Sequence, residues 1–245
     1  MKNVLIYIHP DKEFNEENKT LIKIHIDNSI RLGWKPEDIL LFTNFEYSYG
    51  GISAQVVDGD YDLKWDRTSN KIFVIRDLLK YGLLKEDLYW YHDFDAYQNE
   101  PIKESELKMK GFDFGITGYG YKPQTNGGSF FFRENTFDIF DVWCERTRAI
   151  CRTRSDEKSL TDMTRDGTLQ RYTWLNITYN FGQRCPDLCY DDAWKPLKVL
   201  HFHPYYTYYE SEIENIDIFM YGKNKQKKTM MSQGLIDIFK KHGIK

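Results

Sequence analysis

Leu88-Tyr89-Trp90-Tyr91-His92-Asp93-Phe94-Asp95-Ala96-Tyr97 decides how this chain is read. A run of large apolar residues ends in two aspartates, one residue apart. The pattern predicts a buried strand that delivers two carboxylates to its C-terminal end. Two anions side by side in a water-poor place are costly unless a cation shares them. Hard oxygen ligands suit Mg2+ or Mn2+, ions that keep positions open for a substrate's phosphates. The flanking Trp90, Tyr91 and Phe94 leave little water, which weighs against a solvated acidic turn.

Working outward, strand and helix patterns alternate. Val4-Leu5-Ile6-Tyr7-Ile8 reads as a first strand and is too short for a signal segment or a membrane span. Ile22, Ile26 and Ile30 share a helix face that Gly33 can close, and Ile39-Leu40-Leu41-Phe42 reads as a second strand. Ser69 can cap a helix carrying Ile72, Ile75 and Leu79, ending near Gly82. The strands are continuously apolar, as in a sheet covered on both faces. The order β-α-β-α-β implies parallel strands with right-handed crossovers, and such sheets bind ligands at their carboxyl ends. Asp93 and Asp95 sit at such an end. Further on, Phe112–Thr117, Ser129–Arg133 and Lys198–His203 read as strands. Helices are expected from Phe137 to about Arg152, near Ser155 and near Thr168. A final amphipathic piece carries Leu235, Ile236 and Phe239. The expected class is α/β, with a mixed, mostly parallel central sheet and helices on both faces. Residues 1–210 are expected to form one domain, and 211–245 a C-terminal extension packed on or near it.

Bulk properties narrow the function. The chain has 245 residues, a net charge of −3, and 18 Tyr, 16 Phe and 6 Trp. That length supports a substantial core, and the aromatic content argues against disorder. The charge gives no field for nucleic acid. Absence of a transmembrane span or leader makes a cytoplasmic compartment the default expectation. Four cysteines, Cys144, Cys151, Cys185 and Cys189, are too few for a disulfide scaffold and fit no common zinc spacing. The sequons at Asn18 and Asn176 mean little without secretion.

Asp-x-Asp after a strand also occurs in haloacid-dehalogenase phosphatases. There a Thr or Val normally stands two residues after the second Asp; here that place is Tyr97, and the motif comes late in the chain. In the order of its other segments the chain resembles the GT-A nucleotide-sugar glycosyltransferases, with a glycogenin-like arrangement. Asn70-Lys71-Ile72-Phe73-Val74-Ile75-Arg76 is similar to their Lys-containing helix before Asp-x-Asp. Asn126-Gly127-Gly128-Ser129-Phe130 is similar to their Asn-x-Gly strand, and Ser155-Asp156-Glu157-Lys158-Ser159-Leu160 to their acidic helix start. Trp174-Leu175-Asn176-Ile177-Thr178-Tyr179-Asn180 resembles a Leu-x-x-x-Tyr-Asn segment, and Val199-Leu200-His201-Phe202 a Val-x-His-Phe strand whose His is a third metal ligand. The resemblance spans about residues 1–210. Compact length and a plain N-terminus also resemble glycosyltransferases of large DNA viruses.

The resemblance implies a GT-A fold and a divalent-metal-dependent hexosyltransferase. Its donor is a nucleotide diphosphate sugar, UDP-linked by preference, and its acceptor a hydroxyl of a glycan or protein-linked sugar. Asp93, Asp95 and His201 are the implied ligands of Mn2+ or Mg2+. Asp156 and Glu157 are the candidate catalytic carboxylates: a general base if the reaction inverts, donor-sugar ligands if it retains. The glycogenin-like motifs lean towards retention. Asn126 and Gly127 either form a turn or let the backbone approach a sugar closely. The family pattern continues from its His to Gly and Lys-Pro-Trp, whereas His201 is followed by Phe202, His203 and Pro204. The cation for the leaving diphosphate is therefore sought at Lys71, Arg76 or Lys223–Lys228, although the last group suits a solvated loop better. His203, two residues from His201 on the same strand face, is a candidate phosphate or supporting contact. Tyr205, Tyr206, Tyr208 and Tyr209 suit either sugar faces or ordinary packing.

Two other classes fit the residues less well. A sugar-nucleotide nucleotidyltransferase needs a Gly-rich, Arg-containing loop after the first strand, where this chain has His9-Pro10-Asp11-Lys12-Glu13-Phe14. A non-catalytic carbohydrate-binding protein suits the aromatics but has no need of Asp-x-Asp behind an apolar strand.

Overall fold

A computed structural model describes residues 1–61, 63–86, 88–152, 154–208 and 211–245. Tyr209, named above, lies outside the described residues. The strands are β1 (Lys2–Tyr7), β2 (Ile39–Thr43), β3 (Ser48–Tyr49), β4 (Ile52–Ser53), β5 (Gln55–Val56), β6 (Tyr89–His92), β7 (Ala96–Gln98), β8 (Phe114–Gly118), β9 (Thr125–Phe132), β10 (Tyr172–Trp174), β11 (Phe181–Gly182) and β12 (Val199–His201). The helices are α1 (Glu16–Arg31), α2 (Asn70–Lys80), α3 (Phe137–Ile150), α4 (Ser155–Arg165), α5 (Cys185–Leu188), α6 (Asn215–Met220) and α7 (Gln233–Lys241).

The central sheet runs β10-β8-β9-β6-β1-β2-β5. β1 is parallel to β2 and β6, β2 to β5, and β10 to β8; β9 is antiparallel to both its neighbours. The sheet is mixed and mostly parallel, as expected. Alternation along each strand explains the unbroken apolar runs. Val4, Tyr91, Phe130 and Phe132 point into one core with α2, α3 and α4, represented by Ile72, Phe140, Trp143 and Leu160. Leu5 and Leu41 point to the other face, against Ile22 and Ile26 of α1 and Leu235 and Phe239 of α7. Residues 211–245 thus share the core of α1 and Tyr97; the Tyr97 and Phe239 rings meet at 4.8 Å.

Local chemistry sets the helix ends. Asn15 accepts from the Asn18 amide to start α1, and Gly33, at φ +90°, closes it. Ser69 precedes α2 but makes no side-chain cap. Its hydroxyl donates to Asp66, whose carboxylate takes the Thr68 amide and, across the fold, the Ser155 amide that opens α4. One buried aspartate thereby ties the N-termini of α2 and α4 together. Two expectations need correction. The segment near Thr168 is not helical: the Asp166 carboxylate accepts from the Thr168 amide and the chain goes on into edge strand β10. The strand expected from Ser129 begins at Thr125, so Asn126, Gly127 and Gly128 lie within β9 rather than in a turn.

Candidate active site

β6 ends at His92, and the Asp93 amide donates to the Gly128 carbonyl of β9. The chain then turns, the Ala96 amide returning to the Asp93 carbonyl, and enters β7. β7 belongs to a second, three-stranded sheet, β11-β12-β7. There His201 of β12 lies opposite Ala96, and the Phe202 amide donates to the Asp95 carbonyl at 2.8 Å. This register brings His201, far along the chain, beside Asp95. Its Nε2 is 3.2 Å from Asp95 Oδ1. Asp93, Asp95 and His201 each offer one ligand atom, all within 4.8 Å of one another.

The environment fits a divalent ion. The Asn180 amide nitrogen donates to Thr117 Oγ1 at 3.0 Å, so its oxygen faces His201 Nδ1 at 2.8 Å. This pattern assigns the proton to Nδ1 and leaves Nε2 directed at the aspartates, as metal-ligating imidazoles require. Gly128 makes the room: a Cβ there would lie 2.0 Å from His201 Cε1. Without a metal, burial opposes charging of His201, but Asp95 and then Asp93 outweigh it and hold its pKa above the ordinary value. Burial likewise opposes ionisation of Asp95, yet His201 holds its carboxyl far below the usual range. The imidazolium occupies the electrostatic place of a cation.

A second cluster stands beside the first. Lys71, buried on the first turn of α2, reaches both Asp93 oxygens at 2.9 and 3.0 Å and Asp156 Oδ2 at 3.4 Å. The Tyr91 hydroxyl adds a 2.6 Å bond to Asp93. Asp156 is 2% exposed, and its Oδ2 accepts no hydrogen bond. Burial pushes its pKa up to about 6 despite Lys71. Glu157 is engaged: Tyr119 donates to it at 2.7 Å and the Gly127 amide at 3.3 Å. Lys71, Asp93, Tyr119, Asp156 and Glu157 line, with Asp95 and His201, one cavity of about 300 Å³ at the carboxyl end of β6.

Among the sequence-predicted residues, Lys71, Asp93, Asp95, Asn126, Asp156, Glu157, His201, His203 and Tyr206 line that cavity. Gly127 borders it through its amide to Glu157. Arg76 does not line it; farther along α2 and on another face from Lys71, it pairs with Asp77 at 2.7 Å. Lys223 and Lys225 bind Asp217 and the Asp187 carbonyl, away from the cavity. His203 lies past the end of β12, where its Nε2 meets Glu17 at 2.7 Å and its ring stacks on Tyr206 at 3.7 Å. Sequence reasoning missed Tyr119, Lys122, Arg154 and Gln183, which also line the cavity, and the roles of Asn180 and Asp66. Asn180 was within a quoted segment; the others lie in loops without periodicity.

Solved structures share this architecture. The galactosyltransferase LgtC, in complex with donor and acceptor sugar analogs, matches with a TM-score of 0.59 at 13% identity, covering 99% of this chain and 95% of that one. The chain has a GT-A glycosyltransferase fold. A glycosyltransferase involved in glycosylation of the major capsid of PBCV-1 matches at 0.51 and 13% identity, over 82% of this chain and 92% of that one. GlyE of Streptococcus pneumoniae TIGR4 matches at 0.60 and 12% identity; it covers 99% of this chain, which spans 64% of GlyE. No protein-family model and no curated protein matches the sequence. Within the GT-A fold described here, no helix is long and apolar enough to cross a membrane among the described residues.

Proposed function

We propose that this protein is a divalent-metal-dependent glycosyltransferase that moves a sugar from a nucleotide diphosphate sugar, UDP-linked by preference, to an acceptor hydroxyl. The observation that carries the reading is the Asp93–Asp95–His201 group at the carboxyl end of β6, with Asn180 orienting the imidazole, in a GT-A fold. These three residues would hold Mn2+ or Mg2+, which when bound supplies Lewis-acid stabilisation to the departing diphosphate. His201 would serve there as a neutral imidazole, giving up the proton that Asp95 and Asp93 otherwise hold on it.

The other side chains divide the remaining work. Lys71 offsets the charges of Asp93 and Asp156, so both carboxylates can be held side by side where burial disfavours them. Asp156 keeps an oxygen free of hydrogen bonds and receives a hydroxyl of the sugar or acceptor. Glu157, already held by Tyr119 and Gly127, fixes the cavity wall. Asp156 is preferred to Glu157 as the acting carboxylate, because its Oδ2 accepts no hydrogen bond while both Glu157 oxygens already do.

The test is nucleotide release from UDP-glucose, UDP-galactose and GDP-mannose with Mn2+, with and without EDTA. The expected result is release with at least one donor, abolished by EDTA and by Asp95→Asn. Absence of release with every donor overturns the enzyme reading, and full activity of Asp95→Asn overturns the site. A nucleotidyltransferase would instead release pyrophosphate from a nucleoside triphosphate, and a carbohydrate-binding protein would retain sugar without releasing nucleotide.

A further inference from the structure

The central cavity adjoins two others, of about 370 and 480 Å³, and Lys122 lines all three. Arg154 and Glu157 are common to the central and the larger outer cavity. Gln124, Thr161 and Arg165 are common to the two outer ones. Shared walls make a groove that leads from the metal-ligating group, along α4, to Trp174 on edge strand β10.

The groove is cationic. Lys122, Arg152, Arg154, Lys158 and Arg165 line its larger part against only Glu157 and Asp162. Asp162 takes Lys158 at 2.7 Å, and Glu157 is held by Tyr119 and Gly127. Among the described residues no carboxylate pairs with Arg152, Arg154 or Arg165; Arg165 donates to the Pro123 carbonyl. Burial depresses the Lys122 ammonium, and the Arg154 and Arg184 charges add to that in spite of Glu157. Like charges gathered without partners raise the local affinity for an anion. At the far end, Trp174 is 51% exposed, with the Tyr172 ring 6.1 Å away. An exposed indole offers a flat apolar face of the kind that a sugar's C–H face can cover.

We propose that this groove seats the acceptor and that the acceptor is an acidic oligosaccharide, with its distal ring on Trp174 and its anionic groups on Arg152 and Arg165. This rests on the sugar-transfer reading. Guanidinium forks match carboxylate, sulfate and phosphate oxygens, whereas a neutral glycan would leave these arginines without an anionic partner. The aromatic end distinguishes a saccharide from a simple polyanion.

The test is titration of the full chain with size-matched pairs: 3′-sialyllactose against lactose, a hyaluronan hexasaccharide against chitohexaose, and a sulfated against an unsulfated disaccharide. Inorganic polyphosphate serves as the non-saccharide anion. At least one acidic member is expected to bind about fivefold or more tightly than its neutral partner, and the preference to fall with added salt. The double variant Arg152→Gln, Arg165→Gln is expected to lose about that factor. Trp174→Ala is expected to weaken the saccharide but not polyphosphate, and UDP–Mn2+ affinity to stay unchanged in both variants. Equal binding of neutral and acidic partners overturns the inference. So does acidic binding that survives the double variant, or polyphosphate binding as tight as any glycan. Loss of UDP–Mn2+ binding by the unaltered protein counts against the donor reading alone, because the glycan titrations still decide the groove.

Discussion

Asp156→Asn separates the folding penalty of a site residue from its use. The carboxylate is 2% exposed, its Oδ2 accepts no hydrogen bond, and burial raises its pKa from 3.8 to about 6. Because the folded-state value lies above the unfolded one, the fold prefers the protonated form. The associated stability is fully present below pH 3.8 and is lost as pH rises through about 6. A shift of that size corresponds to a loss of about 3 kcal/mol, roughly half of it falling between pH 5 and 8. Asparagine keeps the shape and does not titrate. In EDTA-containing buffer, chemical unfolding followed at pH 5, 6, 7 and 8 is expected to show the wild type losing about 1.5 kcal/mol relative to Asp156→Asn across that range. Taking the difference cancels groups common to both proteins. The same variant is expected to lose most sugar transfer, since its side chain no longer presents an anionic acceptor. Stability curves that stay parallel from pH 5 to 8 refute the assignment of a raised pKa to Asp156. Retained transfer refutes its role in the cavity.

Gly128→Ala places a methyl where the His201 ring lies, and is expected to weaken Mn2+ binding at least about tenfold by calorimetry, with far-ultraviolet circular dichroism retained. Asn180→Ala frees His201 Nδ1 and is expected to reduce Mn2+ affinity by about 10- to 100-fold; unchanged affinity would show that the orienting bond is dispensable. His201 has a raised pKa and loses its proton on ligation, so Mn2+ affinity is expected to climb as pH rises from 5.5, by up to about tenfold per unit, and to level off above the His201 pKa. A flat profile from 5.5 to 8 contradicts this. Asp66→Ala leaves the buried starts of α2 and α4 without their shared acceptor, and is expected to destabilise the protein by about 2 kcal/mol or more in urea unfolding.

The legible parts of the fold were those governed by local pattern. Continuous apolar runs at β1, β2 and β6 announced strands buried on both faces, and the isoleucine spacing of α1 announced its helix. Thr168 misled because its hydrogen bond to Asp166 supports a turn as readily as a helix start. Asn126-Gly127-Gly128 misled because glycine marks turns in general, whereas here the missing Cβ of Gly128 admits the His201 ring. Arg76 and Lys71 share one helix, and nothing in the order of residues tells which of them the helix turns towards the aspartates.

Residue order alone determined that two carboxylates end an apolar strand, because alternation and hydrophobicity act between near neighbours in the chain. It also placed a histidine on a late strand. Tertiary structure decided that His201 lies against Asp95, through the β7–β12 register, and that Lys71 joins Asp93 to Asp156. It further decided that Asn180 rather than a neighbour orients the imidazole. Those contacts join segments separated by large stretches of chain. Their geometry depends on how two sheets pack and on which polar atoms burial leaves without water, and neither quantity is written in a local pattern.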